Sequence, residues 1–418
     1  MLVDPLAPAR PPAGQAGPAV HHLVESWAAR LRRCDRRPRV ALADGTDSRA
    51  LWAAARLAAQ GAVTPVLVGD PARVQALAAD IGLQLPDDPD VFDILDPARM
   101  AADPRYADTL GAALDARRRL SAGERRELAA DPLYLAATAL RLGDVQACVA
   151  GSTRPTADVL RAGLYVVGLA SGIRTLSSSF LMVRPDGRTL AYGDCAVVVD
   201  PDPAQLADIA QATGATYRAL AGEDPRVAFL SFSTRGSASH PRVERVREAV
   251  RLVRAAAPDL AVDGDLQYDA AAVPAIGRSK APASPVAGSA NTFVFPSLEA
   301  GNIGYKIAQW AGGAAAIGPL LQGLAAPLHD LSRGCSGSDI AAIALVGGLQ
   351  AVERAAPAAD PAPSAASAAS GASAPSAPSA ASLPSPPSAA STHPTCPATP
   401  VDPSAPVSSH QEESTPCR

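Results

Sequence analysis

Lysine and asparagine are almost missing from this chain. Its two lysines, Lys280 and Lys306, and its two asparagines, Asn291 and Asn302, all fall between residues 280 and 306. Elsewhere every basic side chain of the Lys/Arg type is arginine. The two cations are not interchangeable, because one is a planar fork and the other a compact point charge. The clustering therefore predicts that residues 280–339 need an ammonium where the rest of the chain does not. Long apolar runs are also absent. No stretch reaches the length of a membrane span, and the N-terminus lacks a basic-then-apolar signal pattern, so no membrane partner is expected and a cytoplasmic setting fits. The six cysteines, at 34, 148, 195, 335, 396 and 417, show neither metal nor disulfide spacing, and the six histidines are scattered. A metal site is not expected. No block rich in Lys or Arg carries interleaved aromatics, and the formal net charge is −4, which argues against nucleic acid. The one basic run, Arg30 to Arg39, reads as a solvated helix end. Neither GxxxxGK[ST] nor GxGxxG stands at a strand–helix junction, which excludes the usual phosphate loops.

What is present divides the 418 residues into three kinds of text. From about residue 355 onward the chain is nearly all Ala, Ser and Pro, which cannot bury enough apolar surface to offset its ordering entropy. Residues 1–19 read the same way. Both are expected to be disordered, which leaves a foldable length sufficient for two α/β domains.

Within that length, strand-like and helix-like segments alternate. Strands are expected at 39–43, 63–69, 91–95, 145–151, 227–232, 260–263 and 291–296. Helices are expected at 48–60, where Gly61 supplies a C-cap, and at 71–82, 155–170, 203–213, 242–256 and 338–354. A hairpin is expected from 178–183 and 188–199 across a Pro-Asp-Gly turn. Alternation of this kind predicts an α/β fold of mostly parallel sheets flanked by helices, one of them mixed by the hairpin.

Three loops that follow strands combine small residues, hydroxyls and Arg: 151–154 (GSTR), 233–237 (STRGS) and 330–339 (DLSRGCSGSD). Such loops let backbone N–H groups approach an anion, and together they predict a ligand carrying several phosphates. In the third loop Ser338 is the expected N-cap, placing Asp339 in a first helical turn. Arg333 is a candidate phosphate clamp. Ser332 has no suitable His–Asp pair, since His329 is too near in sequence, which ranks a triad hydrolase low.

At these residues the sequence resembles phosphate acetyltransferases (phosphotransacetylases) over most of 38–353. The resemblance rests on ADGTDSR at 43–49, DPLYLAA at 131–137, TADVLRAGL at 156–164, LSFSTRGSASHP at 230–241 and DGDLQYDAA at 263–271. It is most specific in KAPASPVAGSANTFVFPSLEAGNIGYK at 280–306 and GPLLQGLAAPLHDLSRGCSGSDI at 318–340. It implies two α/β domains with the active site in the cleft between them: residues 20–172 with 321–354, and 173–320. It also implies a homodimer, no bound cofactor, and CoA or acetyl-CoA, phosphate and acetyl phosphate as substrates. By position Ser332, Arg333 and Asp339 match the family's catalytic Ser, Arg and Asp. Arg161 matches an Arg of the substrate site, and Arg117, in the shortened segment LDARRRLSAG, is matched to another. Ser233, Thr234, Lys280, Asn302, Tyr305 and Lys306 complete the expected substrate-binding set. Departures from the family pattern are His329 where Asn is usual and Ala326 where Lys is common.

The chemistry implied is transfer of an acyl group between a thiol and phosphate. An unperturbed thiol lies about four to five pKa units above an unperturbed Asp, a gap of roughly 6 kcal/mol. Asp339 as base therefore needs partial desolvation, or proton transfer in concert with attack. Ser332 would donate to the oxyanion and Arg333 to the phosphate. With Asp339 available, direct transfer is preferred over a covalent role for Cys335. The rival expectations are a phosphate butyryltransferase and a non-catalytic acetyl-CoA-sensing module.

Overall fold

A computed structural model of the chain describes residues 17–116 and 120–355. The expected disorder of 1–19 and of the Ala/Ser/Pro tail, and the match of Arg117, thus fall wholly or largely outside the described residues.

Many helices start on one device, an Asp N-cap followed by Pro. Asp70-Pro71, Asp96-Pro97, Asp103-Pro104, Asp131-Pro132 and Asp202-Pro203 each open a helix, the Asp side chain accepting a backbone N–H of the first turn. Proline lacks only a donor that is orphaned there anyway, and its fixed φ suits the first helical position. The expected C-cap at Gly61 is present, with φ 64° and its N–H on Leu57 O at 3.0 Å.

Eleven strands form two sheets: β1 Arg39–Leu42, β2 Thr64–Val68, β3 Asp93–Leu95, β4 Ala147–Ala150, β5 Ser177–Val183, β6 Thr189–Gly193, β7 Arg226–Leu230, β8 Ala261–Leu266, β9 Thr292–Val294, β10 Ala315–Gln322 and β11 Leu328–Asp330. The first sheet, order β11-β4-β1-β2-β3, is parallel throughout. The second, order β10-β5-β6-β9-β7-β8, is mixed: β5 pairs antiparallel with β6 and β10, and the rest pair parallel. This is the α/β class with one mixed sheet that the alternation predicts.

The differences from expectation have local causes. The second hairpin strand stops at Gly193, not 199. The Asp194 carboxylate accepts from Ser178 N–H, Ala196 N–H and Val198 N–H and so turns the chain away from the sheet. The helix expected over 155–170 runs regularly only over Thr156–Ala162, then widens into a π-turn at Gly163–Val167 and ends at Gly168 with φ 76°. The strands β10 and β11 and the helix Leu298–Trp310 lie in Ala/Gly-rich text whose periodicity is weak.

The terminal helix, Gly337–Ala355, is apolar on most of its length. It buries Ile340, Ile343, Leu345, Val346 and Leu349. The cluster it joins includes Val40 and Leu42 of the first sheet and Leu181, Val183 and Leu320 of the second, with Trp27 and Leu31 of the helix Pro18–Leu31. Both sheets thus share one apolar cluster.

Candidate active site

β11 ends at Asp330 and the terminal helix begins at Gly337, so residues 331–336 form a short loop at the carboxyl end of a parallel strand. Ligands bind at such ends in open α/β sheets. Ser332, Arg333 and Asp339 are all exposed. The Arg333 guanidinium makes no hydrogen bond or ion pair among the described residues. Ser332 Oγ accepts the Gly334 N–H at 3.3 Å, which leaves its own proton free to donate. Asp339 is oriented by Ser336. Its Oδ2 accepts the Ser336 N–H at 2.9 Å and the Ser336 hydroxyl at 2.8 Å, while its own N–H donates to Ser336 Oγ at 3.2 Å. This is a reciprocal capping box, in which the N-cap is Ser336 and not the expected Ser338. Only Oδ1 of Asp339 is left open. Cys335 is buried, and its thiol is pushed up to about 12, first by burial. Burial thus weakens it as a nucleophile.

The loop is held from behind by Arg49, which the sequence reading did not single out. One terminal nitrogen donates to Arg333 O at 2.8 Å and Cys335 O at 2.9 Å. The other donates to Ser152 O at 2.8 Å and Asp47 Oδ2 at 2.6 Å. A single guanidinium thereby ties together the loops after β1, β4 and β11. Burial works against ionisation of Asp47, but hydrogen bonds from Arg49 and Ser152 outweigh it and hold the carboxyl below its ordinary value. Beneath the loop Gly337 lies against Trp52: a Cβ there would come within 2.6 Å of the indole ring.

Two of the three expected anion cradles are already filled by the chain's own carboxylates. Asp44 Oδ2 accepts from Gly151 N–H, Ser152 N–H and Ser152 Oγ–H, each at 3.0 Å, and Oδ1 from Thr153. In the loop 233–237 Gly236 N–H reaches Asp265, Arg235 pairs with Asp263 at 3.0 Å, and Thr234 N–H reaches Ser237 Oγ. Acidic residues of neighbouring strands and strand ends take up the Gly151, Ser152 and Gly236 N–H groups and the Arg235 guanidinium, so a Gly/hydroxyl/Arg loop is not by itself an open phosphate site.

The remaining expected residues fall into three groups. Arg161 pairs with Asp158 at 3.0 Å on the helix Thr156–Ala162, whose Thr156 hydroxyl donates to Asp330 at 2.6 Å. The helix that carries it is thus bonded to the strand that leads into the Ser332–Arg333 loop. Thr234 and Lys280 meet at Gln267: the Thr234 hydroxyl lies 3.2 Å from its Oε1, the Lys280 ammonium is 3.2 Å from the same oxygen and 3.0 Å from Asp269, and Ser233 is fully buried beside them. Asn302, Tyr305 and Lys306 form the third group on the helix Leu298–Trp310. Asn302 donates to Cys195 O at 3.1 Å, Tyr305 stacks on Phe180 with centroids 4.1 Å apart, and Lys306 lies 5.1 Å from the Tyr305 ring centroid. Both lysines thus hold partners of the second sheet's own elements. No hydrogen bond or ion pair among the described residues joins these groups to one another. Two open cavities, of about 380 Å³ beside Tyr106 and Leu110 and about 460 Å³ beside Phe92, contain none of the expected site residues. Among the described residues no cluster of His, Cys, Asp or Glu is arranged to hold a metal ion. None of the described helices is long and apolar enough to cross a membrane.

An exposed serine and arginine on a strand-end loop, with an exposed aspartate in the next helical turn, are the kinds of side chain that group transfer to or from an anion uses. Comparison with known proteins makes this specific. Residues 24–347 match the family model described as phosphate acetyl/butaryl transferase, and the chain belongs to that family of acyltransferases. It is 40% identical over 318 residues to the phosphate acetyltransferase of Clostridium acetobutylicum, covering 75% of this chain and 94% of that one. It is 44% identical over 307 residues to that of Paracoccus denitrificans, covering 72% and 91%. The crystal structure of a phosphotransacetylase from Streptococcus pyogenes superposes with TM-score 0.72 at 38% identity, covering 79% of this chain and 99% of that one.

Proposed function

We propose that the protein catalyses acetyl-CoA + phosphate ⇌ acetyl phosphate + CoA by direct transfer in a ternary complex. The observation that carries this reading is the joint exposure of Ser332 and Arg333 on one braced loop and of Asp339 in the first turn of the helix that follows it, in a chain about 40% identical to phosphate acetyltransferases over most of its length. Toward acetyl-CoA, the CoA sulfur forms a bond to the acetyl carbon and its proton passes to Asp339 Oδ1, the oxygen that Ser336 leaves open. Ser332 donates to the carbonyl oxygen as negative charge develops there. The carbon–oxygen bond to phosphate then breaks, and Arg333 holds the departing phosphate with two parallel bonds. Arg161, Arg117 and the groups around Thr234, Lys280 and Asn302 hold CoA and phosphate. CoA is a substrate and no resident cofactor is needed. On this reading the protein works in the cytoplasm.

The same reading makes the protein a homodimer. Ile303, Ile307 and Trp310 recur at helical spacing on Leu298–Trp310 and are 57%, 60% and 61% exposed. An apolar stripe of that kind is a surface for a second copy. Light scattering should give twice the chain mass, and Trp310→Asp should give a monomer. A monomeric parent protein would refute the assignment.

The reaction is tested by assaying CoA release from acetyl-, propionyl- and butyryl-CoA with and without phosphate. Release from acetyl-CoA is expected only with phosphate. Equal release without it would mean a thioesterase, and much faster turnover of butyryl-CoA would mean a butyryltransferase.

A further inference from the structure

Asp330 is a buried acid that the reaction scheme above leaves without a task. It is the last residue of β11, two positions before Ser332, and is 1% exposed. Its Oδ2 accepts the Thr156 hydroxyl at 2.6 Å, a short bond of the charge-assisted kind. Its Oδ1 is buried and has no partner among the described atoms. The neighbouring backbone is shaped around that oxygen. Gly151 has φ +103°, and a Cβ there would stand 2.3 Å from Oδ1. An asparagine would offer Thr156 a neutral, weaker acceptor without burying a charge, so a carboxyl held this way is costly unless its stronger bond does something.

We propose that Asp330 is a positioning residue for acyl transfer: through Thr156 it clamps the head of the helix that carries Arg161 to the strand end that carries Ser332 and Arg333. The inference rests on the acyl-transfer reading and adds a second point of control to it. Arg49 braces the loop from the side of β1 and β4, whereas Asp330 sets its spacing from the substrate-binding helix. Burial is the largest influence on the carboxyl. Together with the facing Asp44 carboxylate it outweighs the Thr156 hydroxyl and the Leu331 N–H and pushes the group up to about 6. Arg154 stands behind Asp44 at 3.8 Å and is engaged by Asp131 at 2.8 Å. His329, the preceding residue, is bonded instead to Gln350 and Leu321. Above about pH 6 the charged carboxylate accepts strongly from Thr156. Below it the protonated acid accepts weakly, and the clamp loosens.

The test compares Thr156→Val, Thr156→Ser, Asp330→Asn and the Val/Asn double variant. It measures kcat, KM for CoA, Tm, and amide exchange over residues 156–162 between pH 5 and 8. Thr156→Val and Asp330→Asn should each lower kcat/KM for CoA roughly tenfold, the loss expected of one charge-assisted hydrogen bond. The double variant should be no worse than either, and Thr156→Ser should be near the parent. The parent's kcat/KM should fall as pH drops through about 6. Asp330→Asn should abolish that step while its Tm at pH 8 is equal or higher. Full turnover in Thr156→Val, losses that multiply in the double variant, or losses that track a fall in Tm would each overturn the clamp. Should Asp330→Asn fail to fold, the Val and Ser variants at Thr156 decide it. A parent protein without phosphate-dependent turnover would sink the acyl-transfer reading instead. The clamp would then stand or fall on whether Thr156→Val speeds amide exchange over 156–162.

Discussion

At the scale of single residues, the proposed reaction depends on which oxygen of Asp339 is open. Ser336 occupies Oδ2 twice, so the capping box both starts the helix and orients the proposed base. Asp339→Asn should lower kcat by about 10²–10⁴-fold, the usual cost of losing a general base, with CoA affinity nearly unchanged. Ser336→Ala should lower kcat less and also cost about 1 kcal/mol of stability as a lost N-cap, with Ser336→Thr restoring both. Steady-state kinetics beside thermal melts separate the two effects. Near-normal kcat in Asp339→Asn would put the base elsewhere. The Ser-Arg and Asp spacing could be read from 330–339, but the braces could not. Arg49 and Asp330 act through partners more than 100 positions away in sequence, and a single sequence carries no signal for such a pair.

Among the elements, the terminal helix bears most directly on the site. Its first residue is glycine because the indole of Trp52 and the carbonyl of Arg49 leave no room for a methyl group. Alanine would gain about 1 kcal/mol in helix propensity. The rigid ring and backbone cannot give way, so overpacking should win, and Gly337→Ala should destabilise the fold by about 1–3 kcal/mol in denaturant titration. Equal or higher stability would show that the ring shifts. Regular elements with caps were legible from sequence, as at Gly61. The Asp-Pro pair that starts five helices was present in the text too, but it also stands at Asp88-Pro89, Asp200-Pro201 and Asp224-Pro225, which open none, so it marks a start only beside helical periodicity. β10 was not legible, since an Ala/Gly-rich run has little periodicity and this strand is defined by its antiparallel partner β5.

For the whole molecule, two adjacent buried groups set opposite pH dependences. His329 is fully buried, and burial lowers its value from 6.5 to about 4. The unfolded chain therefore takes up a proton that the fold refuses, and stability is lost as pH falls from 6.5 toward 4. Asp330 is raised from 3.8 to about 6, so it opposes folding above pH 6 and ceases to do so as pH falls toward 3.8. Each effect is on the order of 3 kcal/mol at full extent, and the two act in opposite directions. His329→Asn should uncover a protein that gains stability between pH 6.5 and 4.5, and Asp330→Asn one that loses it. Parallel curves for parent and both variants would contradict this pairing. The α/β class and its mixed sheet could be read from the alternation of segments. The apolar cluster shared by both sheets could not, because it is assembled by a helix that closes the described chain upon both.

The contact between Trp52 and Gly337 also gives the enzyme an optical gauge. Of the three tryptophans, Trp27 is sealed in the core and Trp310 is 61% exposed, while Trp52 lies buried directly beneath the head of the terminal helix. Its indole N–H has no partner among the described residues, and the Arg56 guanidinium sits 5.4 Å from its ring centroid. Indole emission responds to the local electric field. With Trp27 and Trp310 replaced by phenylalanine, a shift in the remaining emission on adding phosphate would report anion binding at the proposed Arg333 clamp, with no label added.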